Sequence, residues 1–452
     1  MFSSVNKIHF VGIGGIGMSA IAEILLNQGF KVSGSDLQQS ENTDYLANKG
    51  ADIMIGHRAE NIINAEVVVY SSAVHPNDNP ETAEALKLGI PILRRAEMLS
   101  EVSRLKYTLA IAGTHGKTTT TSMAGLALMT AGIDPTVIVG GKLKELGGTN
   151  ARLGNGDWIV VEADEYDRSF LQLSPAIAVI NNIEADHLDI YKDIDDIKQT
   201  FVEFANKVPF YGFVAACIDD NGVKDILSEI KKKVITFGLS RNADVRAANI
   251  TYSQRYTEFD LYFYGEKAGR IKINVPGMHN VRNALGAILA AKELGADFET
   301  IKAGISEFHG VYRRFEIIKE SDDLIVIDDY AHHPTEIEAT LQAARAGWDR
   351  RVICIFQPHT YTRTQDLYKE FAKSFDEADI LILTDVYPAR EEPIEGVTGR
   401  LIADAAVQYG HKNVIYIENK NDIIAELKPM IKPGDVIITM GAGDIWKLSR
   451  EV

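Results

Sequence analysis

The chain has 452 residues, 46% hydrophobic and 24% charged, ordinary for globular protein and long enough for about three domains, each with its own core. Its 63 acidic against 47 basic residues leave a formal charge of −16, which repels nucleic-acid phosphates and argues against that partner class. No apolar run approaches the length of a spanning helix and no basic leader precedes the first strand, so the expectation is a cytoplasmic protein without membrane insertion.

The basic run Lys231–Lys233 reads as a solvated helix face. Cys217 and Cys354 sit inside the apolar runs FVAACI and VICIF, which marks them as buried strand residues in a reducing compartment.

The first hundred residues alternate short β-rich runs with amphipathic stretches, placing strands at 7–11, 31–34, 52–55, 66–70 and 90–93. This is the βαβ signature of a parallel, Rossmann-like sheet. Its first turn reads GIGGIG, with Gly12, Gly14 and Gly17 in phase, and Asp36 follows at the end of the second strand. Alone, that is a dinucleotide fingerprint and predicts NAD. The physics is broader, because a glycine turn at a helix N-terminus holds any pyrophosphate, that of a UDP-sugar included.

From about Tyr107 the pattern restarts. Thr108–Thr121 reads TLAIAGTHGKTTTT: an apolar strand, a glycine turn, a lysine and four threonines. The N–H groups of such a turn cradle phosphate oxygens, Lys117 brings a point charge to the β/γ phosphates, and Thr118 offers a hydroxyl to Mg²⁺. The Walker pattern wants glycine where Ile111 stands, so Gly113-x-x-Gly116-Lys117-Thr118 is a P-loop variant. A helix over 117–131 and strands at 135–139, 158–162 and 177–180 follow, then a helix near 195–206 and a strand at 212–218. Between about 245 and 275 the texture becomes alternating, an antiparallel excursion. A long helix begins near Met278, and Tyr312–Phe315 marks a hinge into a last doubly wound sheet.

Candidate chemistry collects at strand ends. Trp158–Glu162 runs into the acid-rich Glu162, Asp164 and Glu165, a metal-binding pattern when it follows a P-loop. Asn182, Asp186 and His187 follow the next strand; the histidine completes a second Mg²⁺ site, orients a nucleophile or is structural. His279, Asn280 and Asn283 open the long helix as caps or nucleotide contacts. Tyr330, His332 and His333 precede a proline-initiated helix and point to substrate hydrogen bonding. His359 and Arg363 occupy the equivalent place one strand later, where Arg363 suits a phosphate clamp.

With these motifs in order, the chain resembles the Mur ligase family. The resemblance spans nearly its whole length through HFVGIGGIGMSAIAEIL, GTHGKTTTT, EADEYDRSFL, NNIEADHLD, GMHNVRNALGA, GVYRRFE, DDYAHHPTEI, FQPHTYTRT and MGAGDIW. It implies three α/β domains: a UDP-sugar domain over 1–105, a P-loop ATP domain over 106–313 and a closing Rossmann-like domain over 314–452. It implies ADP-forming amide synthesis through an acyl phosphate, with UDP-N-acetylmuramate, L-alanine, ATP and two Mg²⁺, in a monomer or homodimer.

By the same resemblance, Gly14, Gly15, Ile16, Gly17, Asp36 and Ser71 serve the UDP-sugar, joined on the substrate side by Tyr330, His332 and His359. Gly113, Thr114, His115, Gly116, Lys117, Thr118 and Thr119, with His279, Asn280 and Asn283, serve ATP. Thr118, Glu162 and His187 hold metal, and Lys117, His187, His333 and Arg363 act in catalysis. Many relatives carry an arginine where this chain has Thr360, and neither Lys198 nor Lys207 is assigned as the carbamylated lysine some of them use. Other readings stay open: a recycling ligase that attaches a preformed peptide, an NAD-dependent oxidoreductase resting on GIGGIG and Asp36, and a nucleotide-regulated binding protein without chemistry.

Overall fold

Three sheets organise the chain in a computed structural model that describes residues 5–187, 190–389 and 391–452. The first comprises β1 (Lys7–Val11), β2 (Lys31–Asp36), β3 (Asp52–Ile55), β4 (Val67–Tyr70) and β5 (Ile92–Arg94), parallel and ordered β3-β2-β1-β4-β5. Helices α1 (Ile16–Asn27), α2 (Glu41–Asn48), α3 (Pro80–Leu88) and α4 (Arg95–Ser103) lie in or after its connections. All four residues of β4, VVVY, are buried, as a strand covered on both faces requires. Strand order reverses between β1 and β4, where such sheets take ligands. In α3 the sequence fixes both ends: Asn79 Oδ1 accepts the Glu81 and Thr82 N–H groups, Pro80 takes the first turn, and Gly89 at φ 69° stops the helix.

The second sheet has ten strands: β6 (Tyr107–Ala112), β7 (Thr136–Leu143), β8 (Thr149–Arg152), β9 (Trp158–Glu162), β10 (Ile177–Ile180), β11 (Phe213–Cys217), β12 (Val234–Gly238), β13 (Val245–Ser253), β14 (Tyr256–Phe263) and β15 (Glu266–Ile273). Its order is β15-β14-β13-β12-β11-β10-β6-β9-β7-β8, so β6 lies between two parallel neighbours. The accompanying helices are α5 (Lys117–Thr130), α6 (Ile194–Asn206), α7 (Asn221–Ile226), α8 (Met278–Glu293) and α9 (Phe298–Ser306). The third sheet comprises β16 (Glu316–Glu320), β17 (Leu324–Asp329), β18 (Val352–Phe356), β19 (Ile380–Leu383), β20 (Val414–Tyr416) and β21 (Asp435–Met440), ordered β16-β17-β21-β18-β19-β20 with β16 an antiparallel edge. Helices α10 (Pro334–Gly347) and α11 (Tyr361–Lys373) follow β17 and β18.

The chain divides into two compact units, one of Met1–Ala248, Asp260–Ile271 and Arg282–Phe308, the other of Asn249–Phe259, Lys272–Val281 and His309–Val452. In the first unit one apolar cluster runs from Phe10 and Ile21 to Ile159 and Phe201. The first two sheets thus share a continuous core. Cys217 and Cys354 are buried strand residues, as expected. Lys231–Lys233 lies in the loop ahead of β12 and not on a helix; the helical stretch ends at Glu229, and three like charges in a row keep the following loop solvated.

Candidate active site

The P-loop turn joins β6 to α5 through two glycines with positive φ, Gly113 at 139° and Gly116 at 79°. Both conformations strain any residue with a Cβ. At Gly113 a Cβ would lie 3.0 Å from Asn181 Cβ, and at Gly116 it would collide with the Asn283 side chain. The asparagine pair after β10 braces the turn. Asn182 O accepts from Thr114 N (3.1 Å), Asn182 Oδ1 accepts from His115 N (2.7 Å), and Asn182 Nδ2 donates to His115 O (3.1 Å). Asn181 Nδ2 donates to Thr120 Oγ1 (2.9 Å), deeper in α5. Thr119 sits buried one residue earlier in that helix.

Lys117 folds back over the turn. Its Nζ donates to Gly113 O (2.7 Å) and Thr114 O (3.1 Å) and pairs with both oxygens of Glu165, at 2.9 and 2.8 Å. Burial works against the ammonium charge, but Glu165, Asp164 and Glu162 outweigh it and hold its pKa above the usual lysine value. Burial pushes Glu165 up to about 7 against the pull of Lys117. Glu162, at the end of β9, is also raised by burial; its Oε1 accepts from Gly140 N (2.6 Å), and Thr118 hydrogen-bonds to its side chain. Three carboxylates thus surround one ammonium at the C-terminal edge of β6 and β9.

His187, at φ 56°, places Nε2 3.7 Å from Asp186 Oδ2 and 3.9 Å from Glu165 Oε1, with its ring edge-on to Tyr166 at 5.1 Å. Tyr191 donates its hydroxyl to Glu165 O (2.6 Å), which anchors the acidic loop from behind. Leu188 and Asp189, which end the NNIEADHLD motif, lie outside the described residues. Lys198 is ion-paired with Asp225 at 2.8 Å.

The glycine turn of the first sheet is held differently. Ser35 O accepts from Gly12 N (2.8 Å) and Ile13 N (3.0 Å), and Asp36 Oδ2 accepts from Gly14 N (2.9 Å). The carboxylate that reads a ribose in a dinucleotide site is spent here on the turn itself. Asn42 Nδ2 donates to Gly14 O (2.8 Å), and Asn150, on β8, donates to Ile16 O. Ser71 N donates to Val11 O (3.2 Å), and its hydroxyl would meet a Cβ at Gly12. Gly15 is the residue before α1, and a Cβ on Gly17 would lie 3.1 Å from Arg95 Nη1. Arg95 in turn reaches Asp164 Oδ2 at 3.4 Å, so α4 links the glycine turn to the acidic loop.

In the second unit the ends of β17 and β18 carry the expected polar residues. Asp329 is buried; its oxygens accept from Ala331 N (2.7 Å), Phe315 N (2.8 Å) and Thr340 Oγ1 (3.2 Å). Burial lifts its pKa to about 6 against the pull of Arg314. Tyr330 lies between two guanidinium groups, Arg313 at 4.9 Å and Arg314 at 5.0 Å from its ring centroid. His332 Nδ1 is 3.0 Å from Tyr330 O and 3.1 Å from Glu336 Oε2, and its ring meets that of His359 at 5.9 Å. His333 is buried as the N-cap residue of α10. His359 stacks on Tyr387 and has its pKa lowered to about 4 by burial, then by His332 and Arg363. Asn280 donates Nδ2 to Pro276 O (2.7 Å), beside His279 in the first turn of α8.

The structure therefore brings Lys117, Thr118, Glu162 and His187 together around Glu165, and Asn283 against Gly116. Separately it gathers Tyr330, His332, His359 and Arg363. Asn181, Arg313 and Asp329 carry much of this geometry without having been assigned a role from the sequence, and Glu165, read there only as part of an acid-rich run, lies at its centre. The run EADE held the signal for Glu165; the others are fixed by long-range contacts that no local motif reports.

Three family profiles match in chain order: the Mur ligase family catalytic domain over residues 7–107, the Mur ligase middle domain over 111–291, and the Mur ligase glutamate ligase domain over 313–443. A UDP-N-acetylmuramate–L-alanine ligase of Geotalea uraniireducens is 55% identical over 450 residues, covering 100% of this chain and 98% of the relative. One of Salinibacter ruber is 53% identical over 447 residues, covering 99% and 94%. Among solved structures, a UDP-N-acetylmuramate–alanine ligase of Thermotoga maritima superposes with a TM-score of 0.83 at 32% identity, covering 98% of this chain and 97% of that one. A murein peptide ligase of Psychrobacter arcticus gives 0.72 at 27% identity, with 98% and 97% covered.

Proposed function

The chain belongs to the Mur ligase family, and on that premise we propose that it joins L-alanine to the lactyl carboxylate of UDP-N-acetylmuramate with ATP. The observation that carries this reading is the braced P-loop with Lys117 and Thr118 facing Glu162 and Glu165. The names of its full-length relatives supply the substrates.

In this reading a carboxylate oxygen of the sugar nucleotide attacks the γ-phosphorus of ATP, the bond to ADP breaks, and an acyl phosphate forms. The uncharged amine of L-alanine then adds to the acyl carbon, and phosphate leaves as the amide forms. Two anions must approach for the first step, so the site has to supply positive charge. Lys117 at the glycine turn is assigned the first such charge, and Arg363 a second cationic role. The amides of Gly113–Thr119 hold the triphosphate, with Asn283, Asn280 and His279 as further nucleotide contacts. Gly14–Gly17 and Ser71 hold the UDP-sugar at the first sheet, with Asp36 serving it through the turn that its carboxylate fixes. Tyr330, His332 and His359 serve the substrate side, and His333 is assigned to catalysis with Arg363.

Mg²⁺ fits the donor set: Glu162 and the Thr118 hydroxyl would be hard oxygen ligands side by side at the end of β9 and the start of α5. His187 beside Asp186 is assigned to a second ion. The metal would neutralise triphosphate charge; orientation of the phosphates falls to the turn and Lys117.

An acceptor panel tests the assignment. Phosphate release in the presence of ATP and UDP-N-acetylmuramate should require L-alanine, with glycine and serine slower. Preference for a tripeptide instead would favour the recycling reading, to which the similarity with a murein peptide ligase lends support. Absence of NADH binding would dismiss the oxidoreductase.

A further inference from the structure

Behind the glycine turn of the first sheet lies a buried polar chain for which none of the roles above accounts. Glu81, in the first turn of α3, is fully buried, and so is His9 on β1. Glu81 Oε2 accepts from Ser35 Oγ at 2.5 Å and lies 3.6 Å from His9 Nε2 and 3.4 Å from His57 Nδ1. Its Oε1 accepts from Asn61 Nδ2 at 2.5 Å and from Arg58 N at 3.4 Å. The Ser35 hydroxyl has one proton, which goes to Glu81. The 2.8 Å contact between Ser35 Oγ and His57 Nδ1 therefore needs the histidine as donor. His57 is only slightly exposed, so a directed chain runs His57 to Ser35 to Glu81 with little access for water. His9 Nδ1 is engaged by Ser33 Oγ at 2.9 Å.

A buried carboxylate is costly unless its oxygens are satisfied. Burial opposes the charge on Glu81, but the neighbouring His9 ring and the hydrogen bonds of Ser35 and Asn61 outweigh it and hold its pKa below the usual carboxylate range. Its position at a helix N-terminus also favours the anion. What the anion secures is Ser35. That residue's carbonyl takes both the Gly12 and the Ile13 N–H, so the strand segment clamped from its side chain by Glu81 is the one on which the turn hangs.

We propose that Glu81 is a positioning residue for the sugar nucleotide: by fixing Ser35 it fixes the Gly12–Gly17 turn, and it sets affinity for the diphosphate without touching it. The proposal rests on the reading that this turn holds the UDP moiety. Glu81, Ser35 and His57 would then act on one kinetic parameter only. Lys117 and the P-loop lie on another sheet, which the turn meets through Asn150 and the Arg95–Asp164 contact and not through Glu81, Ser35 or His57.

The test is steady-state kinetics on the full chain. Ser35→Ala keeps the backbone carbonyl and leaves Glu81 its contacts with His9 and Asn61, so it should fold; Glu81→Gln keeps the shape and removes the charge. Each should raise KM for UDP-N-acetylmuramate about tenfold while KM for ATP and kcat at saturation stay within about twofold. The double variant should be no worse than the weaker-binding single, because both changes cut one link. Ser33→Ala, which touches the same network only through His9, should leave every constant unchanged. An unaltered KM in Ser35→Ala, an additive double variant, or an equal KM effect in Ser33→Ala would overturn the proposal. Gly14→Ala separates it from its premise, since the added Cβ would lie 2.9 Å from Asp36 Oδ2. Normal sugar-nucleotide binding in that variant would mean the turn itself has been misread. Lost binding there with an unchanged Ser35→Ala would refute only the role of Glu81.

Discussion

Lys117 and Glu165 form the tightest charged contact of the P-loop region. Both are mostly buried, and each oxygen of Glu165 lies within 3 Å of the ammonium. Removing one member of a buried pair leaves the other uncompensated, at a cost of about 3–5 kcal/mol. Burial has already driven Glu165 toward its neutral form and Lys117 keeps two carbonyl acceptors, so Glu165→Gln should cost well below that, about 1 kcal/mol, in urea unfolding at neutral pH; a loss of about 3 kcal/mol or more would mean the pair is fully ionised in the fold. Lys117→Ala should fold yet lose roughly a hundredfold or more in turnover, the scale seen when one preorganised charge donor is deleted. Near-normal turnover would remove the P-loop from the mechanism.

Thr360 is a second residue-scale test. It stands at φ 67°, ψ 146°, a region that β-branched side chains avoid, at the N-terminus of α11 beside His359. Thr360→Gly should raise stability by about 1 kcal/mol, read as a higher Tm, because relief of strain exceeds the added chain entropy.

At the scale of the element, the site is made of strand ends and helix starts, and these were the parts legible in the sequence. Glycines at 12, 14, 17, 113 and 116 announced two tight strand-to-helix turns because few other residues tolerate such backbones, and Gly12, Gly113 and Gly116 do have positive φ. The apolar runs of β6, β9 and β10 could be read directly, since a doubly covered parallel strand is apolar throughout. The bracing of the P-loop by Asn181 and Asn182 could not, because those contacts span more than 60 residues. The same holds for Glu81, which the sequence shows only as a charged residue after a proline. Asp36 was legible as a strand-end acid, but not the Gly14 N–H that occupies it.

The end of β17 carries a pH dependence. Burial pushes Asp329 up to about 6, above the ordinary carboxylate value of 3.8. The folded state therefore binds more protons between those values, and stability falls as pH rises from about 4 to 6. The contribution is at most about 3 kcal/mol, from roughly two units of displacement. Chemical denaturation of wild type and Asp329→Asn across that window should show the excess negative slope in wild type alone. Parallel curves would contradict the assignment.

For the whole molecule, composition and alternation led to three α/β sheets, and three sheets are present. The sequence did not reveal that the first two share one apolar core, which is why they fall in a single compact unit. Local periodicity reports which face of an element is apolar, but not which other element covers it. The antiparallel edge β16 was also missed: EIIKE is short, half-buried to exposed along its length, with no clean alternation to mark it.

The central claim is that this framework activates a carboxylate by phosphorylation before an amide forms. The most direct measurement uses UDP-N-acetylmuramate labelled with ¹⁸O in its lactyl carboxylate, ATP and L-alanine, followed by mass analysis of the phosphate released. The account predicts one ¹⁸O transferred to each phosphate, in step with amide formed. Unlabelled phosphate accompanying amide synthesis would contradict it.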